Sequence, residues 1–218
     1  MQGAYQVTPL MIAVASGDEA RVRSLISAGA DPNDPHAARS TLIAAIEGPN
    51  RSGGRDLECN ESLVKALLEG GADPNALDKA LGAVPLVSAF SIGNVHCAEL
   101  IRAAGGRLDS RESGGRTILI AAVGAADRHR DTAILDLALR WGGDINQRMD
   151  DGATALHEAV RVHGTYVVNE LLKRGADPCL RNELNWTPLD MAIAFKESDA
   201  LISLLRENSH CASTAKNN

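Results

Sequence analysis

The 218-residue chain is poor in aromatic residues, which make up 3% of it against 44% hydrophobic residues overall. A core of this size built on large rings is therefore excluded, whereas a core of thin, Ala- and Leu-rich helices needs few of them. Basic charge is also scarce: the net charge is −6. A general nucleic-acid binder needs a basic face that releases counterions from phosphates, so that class is excluded, although a local basic patch is not. No stretch approaches the roughly 18 consecutive apolar residues that read as a membrane span. The N-terminus, MQGAYQVTPL, lacks the basic and apolar regions of an export signal. The four cysteines, Cys59, Cys97, Cys179 and Cys211, lie far apart with no CxxC pair. That pattern argues against a zinc site and against a disulfide framework, and makes a reduced cytoplasm the simplest location.

Catalytic signatures are missing too. His157-Glu158 opens a zinc-protease pattern, but Arg161 stands where the second His belongs. His129-Arg130-Asp131 spells a kinase triplet without the glycine-rich loop or the Asp-Phe-Gly that must accompany it. The expectation is a non-enzyme with no cofactor and no metal. Arg accounts for 17 of the 22 basic residues. With the many alanines, this points to a GC-rich, bacterial genome.

What the chain does contain is a repeat. Six segments align without gaps, starting at Thr8, Ser40, Val84, Thr117, Thr154 and Thr187. Each carries Leu at its third place, Ala at its sixth and an apolar residue at its seventh, as in Thr187-Pro-Leu-Asp-Met-Ala-Ile193. A second motif follows: Gly29-Ala-Asp-Pro-Asn33, Gly71-Ala-Asp-Pro-Asn75, Gly142-Gly-Asp-Ile-Asn146 and Gly175-Ala-Asp-Pro-Cys179, degraded to Gly105-Gly-Arg-Leu-Asp109 in the third unit. Thr8 and Thr187 fit a helix N-cap, and Pro9 and Pro188 the first helical turn, where a missing N–H costs nothing. Leu10, Ala13 and Val14 form one helical stripe. Gly17 and Gly93 break the chain before a second helix, and Gly29 and Gly175 end it in the left-handed conformation. Asp-Pro then turns the chain outward.

Two helices and a turn repeated every ~33 residues resemble the ankyrin repeat, over roughly residues 5–208. The resemblance implies an all-α ankyrin-repeat solenoid of six helix-turn-helix units joined by hairpin-like fingers. The units begin near residues 5, 37, 81, 114, 151 and 184 of a domain spanning 1–208, and 209–218 form a flexible tail. It implies fingers and short inner helices on a concave side, longer helices on the convex side, and His157 bonded to the neighbouring loop. Two units are long: the second gains about ten residues within 48–60, and the fourth about four within 125–132, relative to the ~33-residue period. Both extensions are expected as loops between inner and outer helix. Such loops are often binding elements, but neutral drift explains them as well, because long surface loops cost little.

Ankyrin arrays bind through finger tips and the exposed ends of inner helices. Mapped onto this chain, those places hold Arg39, Glu47, Arg111, Arg116, Arg148, Met149, Arg161, Val162, Arg181, Trp186 and Phe195. Trp, Arg and Met are enriched in interface cores, which puts the expected hot spot in repeats four to six. Trp186 is either that hot spot or a shield for the next finger. Trp141 is expected to cover a helix end. The implied function is a cytoplasmic protein–protein interaction module, an adaptor or inhibitor that is a monomer when free and holds one protein partner. Nucleic acid and membrane are not expected as partners. The alternatives are an immunity protein against a cognate toxin, a host-directed effector and a two-sided scaffold.

Overall fold

A computed structural model describes residues 7–34, 36, 37, 39–48, 59–78 and 81–211. Most of the insertion expected at 48–60 (residues 49–58) and most of the tail (212–218) lie outside the described residues. Twelve helices occur among the described residues: α1 Pro9–Ala15, α2 Glu19–Ser27, α3 Thr41–Glu47, α4 Glu61–Glu69, α5 Pro85–Ile92, α6 Val95–Ala103, α7 Ile118–His129, α8 Ala133–Arg140, α9 Ala155–Arg161, α10 Thr165–Lys173, α11 Pro188–Ala194 and α12 Asp199–Asn208. The expected all-α array of helix-turn-helix units is thus the observed one among the described residues. Among the described residues no helix is long and apolar enough to cross a membrane.

Two compact units make up the chain, Met1–Ala122 and Val123–Asn218, with the division inside α7. In the first unit α1, α3 and α5 pack side by side as an inner layer, and α2, α4 and α6 as an outer layer. In the second, α9 packs on α11 and α10 on α12.

The motif residues make this packing. Thr8 accepts the Met11 amide at 3.2 Å and Thr187 the Asp190 amide at 3.1 Å, capping α1 and α11, and each helix opens with Pro. The Leu, Ala and apolar stripe is buried throughout the first five units, for example at Leu42, Ala45 and Ile46. Small alanines between larger residues let neighbouring helices approach closely. In the sixth unit Ala192 is buried but Ile193 is half exposed.

Fingers are tied to the next repeat by asparagine rungs. Asn33 accepts the Asp73 amide at 2.8 Å and donates to the Gly71 carbonyl at 2.8 Å. Asn75 accepts the Arg107 amide at 2.8 Å and donates to the Gly105 carbonyl at 3.0 Å. Asn146 accepts the Asp177 amide at 2.8 Å. Each rung satisfies backbone groups that the end of an outer helix leaves open.

Two expectations are corrected. The four extra residues of the fourth repeat do not form a loop. They lengthen α7 to 12 residues, against 7 or 8 in the other inner helices. A turn of α-helix takes 3.6 residues, so an insertion of about four adds one turn without rotating the apolar face. Ala125 and Ala126 accordingly stay buried. The cysteines, expected to be unpaired, are joined as Cys59–Cys97 and Cys179–Cys211. Stacking brings residues one repeat apart into contact, which spacing along the chain does not reveal.

Candidate functional site

In the first unit the expected contact residues turn inward. Arg39 precedes Ser40, the N-cap of α3, and Glu47 ends that helix. The Arg39 guanidinium donates to the Glu47 carboxylate, and its Nε lies 3.8 Å from Asp78 Oδ2. Asp78 is 2% exposed and accepts the Ser40 amide at 3.2 Å and the Leu81 amide at 3.1 Å. Buried Ser88 on α5 donates to Glu47 Oε1 at 3.3 Å. Arg116 Nη1 stands 3.6 Å from Glu112, whose pKa is pushed up by burial, with the Glu47 charge adding to the shift and Arg116 opposing it. Arg39, Glu47 and Arg116 are therefore engaged within the protein, and Glu47 is too buried to meet a partner. Of the residues expected at a partner surface in this unit, Arg111 alone is exposed.

The second unit arranges its residues differently. The finger at 148–153 closes with the Met149 amide on the Ala153 carbonyl at 2.8 Å, and the finger at 181–186 with the Asn182 amide on the Trp186 carbonyl at 3.0 Å. The two fingers touch: the Glu183 amide donates to the Asp151 carbonyl at 2.9 Å, and Arg148 Nη1 to the Arg181 carbonyl at 2.6 Å. Gly152 makes this approach possible, since a Cβ there would lie 3.2 Å from the backbone of Asn182 and Glu183.

His157 joins finger to helix. Its Nδ1 accepts the Thr154 amide at 3.2 Å, which leaves Nε2–H to donate to the Trp186 carbonyl at 3.0 Å. Burial holds its pKa below the ordinary imidazole value, which keeps the ring neutral and this tautomer in place. The bond anchors Trp186, whose half-buried ring meets Phe195 edge-on at 6.3 Å between centroids. Phe195 is 48% exposed.

Three exposed arginines lie in the same unit, two on its fingers and one at the end of α9. Arg161 donates to both Glu158 oxygens, at 2.7 and 2.5 Å, yet its side chain remains 64% exposed. Arg181 donates to the Asn185 carbonyl at 2.6 Å and reaches Asp190 at 3.3 Å. Asp190 sits below the usual carboxylate range because the Thr187 amide hydrogen-bonds to it. Arg148 and Arg181 occupy equivalent finger positions, and both are exposed. Val162 and Phe195 are the equivalent C-caps of α9 and α11. Met149 and Val162 are half-buried. Leu184, at the tip of the last finger and exposed, was not among the expected residues. Its signal was an apolar residue inside the otherwise polar Asn182-Glu183-Leu184-Asn185.

The family described as "Ankyrin repeats (3 copies)" matches residues 124–216, and "Ankyrin repeat" matches residues 5–37. The chain belongs to the ankyrin-repeat family. Ankyrin repeats are protein–protein interaction modules, generally without catalytic activity. Among similar proteins are an L-asparaginase of Dirofilaria immitis, 38% identical over 121 residues (55% of this chain, 20% of that protein), and the mitochondrial disaggregase of Homo sapiens, 32% identical over 204 residues (84% and 24%). The B-cell lymphoma 3 protein homolog of Mus musculus is 29% identical over 197 residues (89% and 41%). The chain thus spans between a fifth and two fifths of the length of these three relatives. All three come from animals, which gives the expectation of a bacterial source no support.

Proposed function

We propose that this ankyrin-repeat chain is a non-catalytic adaptor or inhibitor that holds one protein partner on the finger face of its second unit. The observation that supports this most is the Trp186–Phe195 pair, with the Trp186 carbonyl bonded to His157, in the unit that also carries exposed Arg148, Arg161 and Arg181. A tryptophan whose backbone is held by a hydrogen bond and whose ring packs on a neighbour has less freedom left to lose on binding. Trp and Arg are also the residues most enriched at hot spots. The partner that fits is a protein surface with an apolar knob ringed by carboxylates, which the arginines can meet in bidentate fashion. Such a contact covers about 800 Å² on each side.

The immunity-protein and effector readings depended on a bacterial source and have no observation of their own. The scaffold reading placed a second partner on the 48–60 and 125–132 insertions, and most of the latter lies in α7.

Replacing Trp186 and Arg161 with Ala together should weaken a partner captured from the native source by a hundredfold or more, given hot-spot values of about 2 kcal/mol or more each. Far-ultraviolet circular dichroism should show an unchanged helix signal. Undiminished binding by a folded double variant would place the partner elsewhere.

A further inference from the structure

Cys179 stands where the other fingers carry a rung asparagine: Gly175-Ala-Asp-Pro-Cys179 against Gly71-Ala-Asp-Pro-Asn75. Its partner lies in the matching register. Asn75 and the Arg107 amide are 32 residues apart, Asn146 and the Asp177 amide 31, and Cys179 and Cys211 32. Cys211 follows α12, as Arg107 and Asp177 follow α6 and α10. The disulfide therefore takes the place of the hydrogen-bonded rung and ties the end of α12 to the preceding finger. It does so in an end repeat: among the described residues α11 and α12 have neighbouring helices, α9 and α10, on one side only.

The two disulfides differ in access. Cys59 is 8% exposed and Cys97 0%, whereas Cys179 and Cys211 are both partly open to solvent. A thiolate must reach a sulfur to exchange with it, so the second bond is the one that small thiols can open.

We propose that Cys179 and Cys211 form a redox latch on the sixth repeat, and that opening it loosens the segment bearing Trp186 and Phe195. The regulatory consequence rests on the reading of that face as the partner site. The chemistry is thiol–disulfide exchange. One cysteine thiolate attacks a small-molecule disulfide such as glutathione disulfide, expelling one thiolate. The other cysteine then attacks the mixed disulfide and expels the second. Two protein thiols are oxidised to one S–S bond, the small disulfide is reduced to two thiols, and the two protons pass to the released thiolates. Reduced glutathione runs the sequence backwards.

The test uses the whole chain without a partner, so it stands whether or not the proposed binding face is correct. A Trp141→Phe background leaves Trp186 as the one tryptophan of the two in the chain. After glutathione disulfide, a non-reduced digest should contain the Cys179–Cys211 linked peptide. Reduced glutathione should then raise amide exchange across 188–208 by about tenfold or more, the scale set by closing a loop of this length. It should also red-shift Trp186 emission, with smaller changes across α9 and α10. Cys179→Ser should show the raised exchange without reductant and no further response at 188–208 when reductant is added. The wild-type comparison needs no substitution, so a poorly folding variant does not remove the test. Absence of the linked peptide, unchanged exchange on reduction, or a Cys179→Ser chain that still responds would each overturn the latch.

Discussion

The two units use the same repeat to opposite ends. In the first, Arg39, Glu47, Asp78 and Ser88, and likewise Glu112 and Arg116, engage one another inside the unit. In the second, Arg148, Arg161 and Arg181 bond carbonyls or helix carboxylates and are all exposed. The turn between helices differs as well. Gly17 and Gly93 occupy it in the first unit, at φ of 74° and 90°. Arg130, His163 and Lys196 occupy it in the second, at φ of 49°, 59° and 56°. Glycine adopts this conformation freely, whereas a residue with a Cβ is strained there. Arg130 lies over the Tyr166 ring at 5.0 Å and His163 meets Glu197 at 2.6 Å, contacts that offset part of the strain. One unit thus places its charge in internal cohesion. The other accepts local strain and keeps charge at the surface.

The largest effect should come from breaking the buried cluster. Asp78→Ala removes a carboxylate that accepts two backbone amides and faces Arg39, and should destabilise the first unit by about 3 kcal/mol. Hydrogen exchange resolved along the chain should show the loss across α1 to α6 and little change across α9 to α12. An equal loss in both would end the distinction between them.

A smaller effect, with a pH signature, is expected at His157. Replacing it with Gln leaves the Trp186 carbonyl or the Thr154 amide poorly matched, at a cost of about 1–3 kcal/mol. His157 binds a proton less readily folded than unfolded, so its contribution is present above the ordinary imidazole value of 6.5 and is lost as pH falls below it. Glu112 has the opposite sign. Its carboxyl binds a proton more readily when folded, so the first unit loses stability as pH rises above the ordinary 4.5. From pH 7 to 5.5, protection factors, which correct for the intrinsic pH dependence of amide exchange, should therefore fall across α9 to α12 while those of α3 to α6 hold steady or rise. His157→Gln should flatten the first trend and leave the second. Parallel trends in both units would remove this part of the contrast.

The smallest effect tests the turns. Lys196→Gly relieves left-handed strain but gives the unfolded chain more freedom, for a net gain under about 1 kcal/mol. Gly93→Ala should lose about 1 kcal/mol. Denaturant melts of both variants give the two signs, and a loss in both would show that strain is not what separates the turns.

Much of this was legible in the residues. Thr8, Ser40, Thr154 and Thr187 are helix N-caps as the aligned segments imply, and His157 bonds the neighbouring finger as its slot implies. The length of α7 was missed because extra residues were equated with a loop. The helix-forming Ala125-Ala126-Asp127-Arg128 was the available signal. Arg39 and Glu47 were expected outside because their positions are exposed in a generic repeat. Their partner Asp78 comes from the next finger, 38 residues from Ser40, and no local pattern announces it. The Cys179–Cys211 pairing had a signal, a cysteine in the asparagine slot, which becomes readable only once the rung register is known.

By itself, the sequence determined the helices, their caps and their period, because those depend on contacts within one or two turns of the same chain segment. The tertiary structure decided which cysteines join, which arginines turn inward and which aromatic rings meet. Those choices depend on groups about one repeat apart in sequence, and only the packing of one helix pair on the next sets their distance.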